Sequence, residues 1–331
     1  MAHSSLVGAG LALLLAAPAL AAEPITLQWP VRCDLGETCV IQHYVDRDPT
    51  EGASDYRCGT MTYDKHSGVD IRLPSLAAEK RGVDVLAAAP GRVLRVRDGM
   101  ADISVRRDGG KEAIEGQDCG NGVVIAHRDG WETQYCHMAK GSVRVKPGQT
   151  VAEGDPIGHV GLSGNTEFPH LHITVRHDGK VVDPFADGAS TCGEEGRSLW
   201  APVLAAKLNY HPGEVLNTGF AAGPVTMAEI EADTAARAPA SDQPAMVVFV
   251  RAIGLRKGDV QRLIVTGPDG ATVVDNTDKP LDANKAQALR FAGRKRPPAG
   301  WTAGVYTAHY TVSRDGKVVI EKTFAAEMPK S

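Results

Sequence analysis

Aromatic residues are scarce in this chain, 5% of 331 positions, so its core has to be built mainly from Val, Ile, Leu and Ala. Beyond the first 22 residues no apolar run reaches the ~20 positions that a membrane-spanning helix needs. Positive charge is not in excess. The formal net charge is −4, which gives no reason to expect a nucleic-acid partner, and the one basic run, Arg294-Lys295-Arg296, reads as a solvated loop. No two cysteines stand at Cys-x-x-Cys spacing, which argues against a cysteine-rich structural metal knuckle. No His-Glu-x-x-His occurs either, so a helix-borne pair of metal ligands with its glutamate base is excluded. No cysteine follows Cys192, so whatever fold occupies the C-terminal part lacks an internal disulfide.

Residues 1–22 also lack Lys and Arg. They hold an apolar run over 6–20 and an Ala19-Leu20-Ala21 exit, which together read as an export signal cleaved near Ala21 or Ala22; a signal anchor is the rival reading. No cysteine lies at the cleavage region, which argues against a lipid anchor. The expectation is an exported protein, periplasmic or extracellular, with no stable membrane insertion after signal cleavage. Six cysteines behind such a leader suit an oxidising compartment.

The chemistry concentrates in three short stretches. In Phe168-Pro169-His170-Leu171-His172-Ile173-Thr174-Val175-Arg176, two histidines at strand spacing project from one face. Upstream, His66-Ser67-Gly68-Val69-Asp70-Ile71-Arg72-Leu73 reads as loop running into strand, with Val69, Ile71 and Leu73 alternating against Asp70 and Arg72. Between them, Thr133-Gln134-Tyr135-Cys136-His137 places Thr133, Tyr135 and His137 on one face, with Cys136 facing away and packing inward. Mixed His and Asp donors with spare histidines suit a catalytic zinc site with room for water, not a structural site closed by four ligands.

This order, His-x-x-x-Asp, then Tyr-x-His, then His-Leu-His, resembles the lysostaphin/LytM family of zinc metalloendopeptidases, which are peptidoglycan hydrolases. The resemblance spans roughly residues 60–185, including the Val151 to Gly158 tract and Val182-Asp183-Pro184. It implies that His66, Asp70 and His172 hold Zn2+ and that His137 and His170 are the catalytic histidines, with Tyr135 either orienting water or simply packed. Its implied substrate is the peptidoglycan stem peptide. The implied activity is secreted, zinc-dependent endopeptidase cleavage of peptide cross-links, with glycine bridges as the alternative bond. Two other readings are a catalytically silent LytM-like regulator of other wall hydrolases and a secreted zinc protease acting on ordinary proteins. Two departures from the family are Phe168 where Gly is common, which would narrow the cleft, and Cys136 where a small residue is common.

Short strands separated by Pro-Gly and Asp-Gly turns recur from Val83 onward, including Ile103-Ser104-Val105, with no long helix; residues 75–81 supply at most one or two helical turns. The expected fold class is mainly β: an antiparallel-β LytM-type peptidase domain followed by an immunoglobulin-like β-sandwich domain. The expected division is a signal peptide (1–22), an irregular N-terminal wrap (23–59), a zinc peptidase domain (60–194) and the sandwich (195–331). In the wrap, His43 is the one candidate for an occluding ligand. The loop Gly161-Leu162-Ser163-Gly164-Asn165-Thr166 lacks the Gly-Lys-Ser/Thr ending of a phosphate loop and instead delivers the His-Leu-His strand. Histidines 127, 159, 177, 211 and 309 have no partner at ligand spacing and read as structural or surface groups.

Cys33 and Cys39 bracket a turn-rich loop that a local disulfide can close. Cys119 and Cys136 flank a hairpin. If Arg128 faces Trp131, however, Cys136 faces Val123 and Cys119 lies about 13 Å further along, beyond bonding reach unless Gly120-Asn121-Gly122 bends the strand. Cys58 and Cys192 remain unassigned.

Overall fold

The structure is a computed structural model that describes residues 23–106 and 114–330; the expected export signal lies outside the described residues. In chain order the strands are β1 (Val40–His43), β2 (Val69–Arg72), β3 (Asp84–Leu86), β4 (Gly91–Arg97), β5 (Asn121–Ala126), β6 (Trp131–Met138), β7 (Thr150–Val151), β8 (Pro156–His159), β9 (His170–His177) and β10 (Lys180–Val182). The C-terminal part continues with β11 (Glu214–Ala221), β12 (Ala245–Leu255), β13 (Val260–Thr266), β14 (Thr272–Thr277), β15 (Lys285–Lys295), β16 (Gly304–Arg314) and β17 (Lys317–Met328). The α-helices among the described residues, α1 (Leu76–Lys80) and α2 (Met227–Glu231), are single short turns capped by Ser75 and Thr226. The molecule is antiparallel β, as its turn spacing implies.

Strand β9 is the axis of the first sheet, whose order is β1-β2-β9-β6-β5-β4-β7, with β10 also on β9. Its alternation explains its place. Leu171, Ile173 and Val175 are 0–1% exposed and face the core, each contributing about 1.5–3 kcal/mol by burial, while His170, His172, Thr174 and Arg176 are left for the opposite face. Strand β2 pairs with β9 so that Asp70 lies opposite His172 and Arg72 opposite His170. The N-terminal segment is more regular than its composition suggested. It supplies β1 as an edge strand on β2, and Ile25, Leu27, Val31 and Tyr44 are buried in the same core. A disulfide between Cys58 and Cys192 ties this segment to the end of the sheet, and Cys33 and Cys39 close their local loop as expected.

Cys119 and Cys136 are bonded, contrary to the distance expected from an unbroken hairpin. The register is offset by one, since Val123 pairs with Tyr135, and a bulge between Asn121 and Val123 brings Asn121 opposite Met138. Gly120, at φ +61°, then turns the chain back, so that the Cys119 carbonyl accepts from the His137 N–H at 2.8 Å. A Cβ at Gly120 would meet the Ser163 backbone at 2.4 Å, so the bend has room only for glycine. Residues 103–105 do not form the expected strand; Val105 donates to Thr166 O (3.0 Å) and Ser104 to Glu167 O (3.3 Å), which packs them on the Gly-rich loop.

The C-terminal strands form a three-stranded sheet, β11-β12-β15, and a four-stranded sheet, β14-β13-β16-β17. Val248 and Val250 from the first and Leu263, Val265, Tyr310 and Val312 from the second enclose a common apolar core. The chain crosses between the sheets after β12, β14 and β15, the Greek-key habit of β-sandwiches. The hairpins at residues 267–270 and 314–316 lie where their Asp-Gly turns put them. Strand β11 was hidden in a stretch of mixed composition, and Arg294 and Lys295 close β15 instead of lying in a loop, though both are exposed.

This C-terminal part is bonded to the first sheet. Arg251 is fully buried on β12, and a guanidinium so placed must be completely partnered. It donates to Asn217 Oδ1 (2.7 Å), to Glu231 and to the Pro74 carbonyl. Buried Arg72 donates to Gln42 Oε1 (2.7 Å) on β1 and Gln287 Oε1 (2.9 Å) on β15. Leu216 and Ile253 join the first core.

Candidate metal centre

All five residues singled out from the three motifs converge on one face of the first sheet. His66 comes from the loop before β2, Asp70 from β2, His137 from the end of β6, and His170 and His172 from the start of β9. Asp70 Oδ1 lies 3.1 Å from His66 Nε2, 2.9 Å from His172 Nδ1 and 3.3 Å from His170 Nε2. His66 Nε2 and His172 Nδ1 are 3.1 Å apart. The loop reaches β9 this closely because Gly68 has no side chain: a Cβ there would stand 2.5 Å from His172 Nε2.

The second nitrogen of the His66 ring shows what the first one offers. His66 Nδ1 lies 2.7 Å from the Tyr44 carbonyl, which only accepts, so Nδ1 carries the proton and Nε2 presents a lone pair to Asp70. His172 Nε2 meets Thr174 Oγ1 at 3.0 Å. A carboxylate oxygen and imidazole lone pairs held about 3 Å from one another repel unless a cation lies between them. Bond lengths of about 2.0–2.1 Å in a tetrahedral zinc site put its donor atoms roughly 3.3–3.4 Å apart. His66, Asp70 and His172 therefore fit the ion in both chemistry and spacing. His137, His170 and His172 form a second grouping with metal-compatible spacing.

The same contacts shift the protonation equilibria. Burial acts to lower the His66 pKa, but attraction to Asp70 outweighs it and the value is raised. Burial likewise acts to raise Asp70, yet His66 and His170 hold it well below the usual carboxylate range. Burial draws His137 well below its ordinary value, with repulsion from His170 and His172 adding to it, so its ring is neutral near pH 7. His137 Nδ1 donates to Ser163 O (2.8 Å) and His170 Nδ1 to Phe168 O (2.9 Å), which leaves both Nε2 atoms as acceptors. The two rings are 4.6 Å apart between centroids.

His137 reaches the site by a route that strand alternation does not describe. Tyr135, two residues earlier, faces the core at 0% exposure, its hydroxyl accepting from Ala88 N–H (2.8 Å) and Thr133 Oγ1 (3.1 Å). It is a packed aromatic, not part of the site. His137 has φ +61°, a left-handed conformation costing on the order of 1 kcal/mol or more, and this turns its ring to the face of Gln134 and Cys136. Cys136 consequently lines the cleft beside His137 instead of packing inward. The N-terminal His43 belongs to neither metal-compatible grouping among the described residues; its Nδ1 lies 2.9 Å from Asp70 Oδ2. Phe168 stacks on the Arg72 guanidinium at 4.2 Å and flanks His43 and His170. His127 and His177 are structural, the first bound to Pro90 O and Thr133, the second stacked on Trp131.

Residues 64–184 match the model of Peptidase family M23. This segment belongs to family M23. The M23 segment resembles Cell division protein DipM of Caulobacter vibrioides, 30% identical over 129 residues, covering 37% of this chain and 17% of that protein. It also resembles DD-carboxypeptidase/endopeptidase Mpg of Neisseria meningitidis serogroup B, 32% identical over 128 residues, covering 37% of this chain and 23% of that one. The chain thus spans less than a quarter of either relative. Among solved structures, a mutant of the catalytic domain of the prophage-encoded M23 protein EnpA from Enterococcus faecalis is 26% identical, covering 44% of this chain and 92% of that one at a TM-score of 0.30.

Proposed function

We propose that this protein is an exported, zinc-dependent endopeptidase that hydrolyses peptide cross-links of bacterial peptidoglycan. The observation that carries the reading is the convergence of His66, Asp70 and His172 about Asp70 Oδ1, with two further imidazoles beside them, inside an M23 segment. The names of two relatives point the same way: Mpg, and Peptidoglycan DD-endopeptidase ShyA of Vibrio cholerae, 41% identical over 64 residues. We take residues 60–194 as the peptidase domain, 23–59 as a wrap that completes it and 195–331 as a second domain.

In this reading His66 Nε2, Asp70 Oδ1 and His172 Nδ1 hold the zinc, and His137 and His170 act on the substrate. Zinc supplies Lewis-acid polarisation of the scissile carbonyl and makes water nucleophilic at neutral pH. His137 and His170 present unprotonated Nε2 atoms beside the ligand set, fixed in that tautomer by Ser163 O and Phe168 O. One would take the proton of the attacking water on its Nε2 and return that same proton to the leaving amine, while the other would stabilise the developing oxyanion only when its Nε2 carries a proton. A neutral, buried imidazole is suited to the first task because nothing need be deprotonated beforehand.

The test is mass spectrometry of purified peptidoglycan incubated with zinc-loaded protein and with a chelated control. Chelator-sensitive release of uncross-linked stems is expected. Intact cross-links from folded, metal-loaded protein would overturn the reading in favour of a silent regulator of other wall hydrolases.

A further inference from the structure

The cleft beside the metal centre contains a cation that the proposed mechanism does not use. On β9 the cleft face runs His172, Thr174, Arg176, which sets Arg176 about 13 Å along the strand from His172. Arg176 is half-buried, and its Nη1 donates to Gln134 Oε1 at 2.8 Å. Gln134 is itself anchored through Nε2 to Cys119 Sγ (3.3 Å) and Cys136 Sγ (3.4 Å) of the cleft-wall disulfide. The guanidinium is thus oriented, with one of its five N–H donors engaged. Its cross-strand neighbour is Glu132, yet Arg176 forms no ion pair among the described residues. Of the other charges lining the cleft outside the metal centre, Lys65 is paired with Asp64 (3.0 Å), and Asp118 accepts from the neutral Asn165 amide (3.0 Å) and keeps its charge. An oriented, uncompensated guanidinium fork in a substrate cleft is matched to a carboxylate, which it can bind bidentately.

We propose that Arg176 receives a carboxylate of the substrate peptide, about three to four extended residues from the scissile bond, and that the cleft thereby selects acidic stem peptides over uncharged glycine bridges. The proposal rests on the peptidase reading of the site. It names the substrate class that this reading leaves open, because a glycine bridge offers Arg176 no partner and leaves its charge desolvated against an amide backbone.

The experiment uses the zinc-loaded full chain and two synthetic cross-linked peptides that differ only in a free carboxylate or a carboxamide at that position, together with an oligoglycine peptide. The expected result is a KM about tenfold or more lower for the acid than for the amide, with kcat similar. Arg176→Gln should erase the difference, and Arg176→Lys should restore part of it. The acid-against-amide comparison is made in the unaltered protein, so it holds even where a variant folds poorly. Equal KM for acid and amide, or faster cleavage of oligoglycine, would overturn the proposal. Were no peptide cleaved in a chelator-sensitive way, the peptidase reading would fail. The same acid and amide pair titrated by calorimetry would still decide on Arg176, equal affinities overturning it and a preference for the acid sustaining it.

Discussion

His43 Nδ1 lies 2.9 Å from Asp70 Oδ2, the carboxylate oxygen not engaged by His66, His170 and His172. Strand β1 carries His43 and pairs it directly opposite Asp70 on β2, so the bond is a product of the sheet register. A carboxylate ligand whose second oxygen is occupied binds metal through the first alone and in a fixed orientation. Loss of such a support commonly costs 10–100-fold in metal affinity. His43→Ala is therefore expected to weaken zinc binding by about that factor in competition with a chromophoric chelator, and His43→Gln, which keeps an N–H donor, should recover part of it. Unchanged affinity in His43→Ala would show that the bond does not support the ligand.

The assignment of ligands and of catalytic groups makes opposite demands on two variants. His172→Ala removes one of three proposed donors and should abolish both stoichiometric zinc and activity. His137→Ala removes a ring that lies outside the His66, Asp70 and His172 set; zinc should stay bound while turnover falls by roughly 10²–10⁴-fold. Metal analysis after dialysis, alongside peptidoglycan cleavage, checks both. Loss of zinc in His137→Ala would move the ion to the alternative grouping of His137, His170 and His172.

How much of this was legible in the sequence depends on the range of the interaction. The period-2 pattern of residues 170–176 is local, and it placed His170 and His172 on one face correctly. The C-terminal hairpins were legible for the same reason, since Asp-Gly turns set them. His137 reached the site as its motif implied, but by a left-handed backbone that alternation cannot anticipate, and so Tyr135 and Cys136 were assigned the wrong faces. The Cys119 to Cys136 bond depended on a single bulge, which changes the register by one residue and is invisible to spacing. Strand β1, short and partly polar, has its identity conferred by β2; the role of His43 follows from that pairing and not from its neighbours in sequence.

The Cys119 to Cys136 disulfide closes a loop of sequence separation 17, which corresponds to about 3 kcal/mol of stability in the chain-entropy account. Replacing both cysteines by serine should lower the thermal midpoint accordingly. Because the Cys119 carbonyl accepts the His137 N–H, catalysis should fall further than stability alone explains. Zinc affinity should change little, since Asp70 and His172 are fixed by β2 and β9 and His66 by the Tyr44 carbonyl. Calorimetric melting, zinc titration and kcat measured on the same preparation separate the three effects, and a zinc affinity lost along with kcat would contradict this division.

Asp183 offers a test of stability against pH away from the metal. It is 1% exposed, and its Oδ2 has no hydrogen-bond partner. Burial raises its pKa to about 6, although Phe185 N–H donates to Oδ1 at 2.9 Å. The unfolded chain releases this proton near pH 4, so between about pH 4 and 6 the native state holds a proton that the unfolded state has lost. The contribution is thus fully present below pH 4 and is lost as pH rises through 6, a total on the order of 3 kcal/mol. Asp183→Asn keeps the acceptor for Phe185 without the charge. In chelated protein, the difference in unfolding free energy between variant and parent should be small at pH 4 and grow in the variant's favour toward pH 7. A difference independent of pH would mean that Asp183 is ionised in the native state throughout the range.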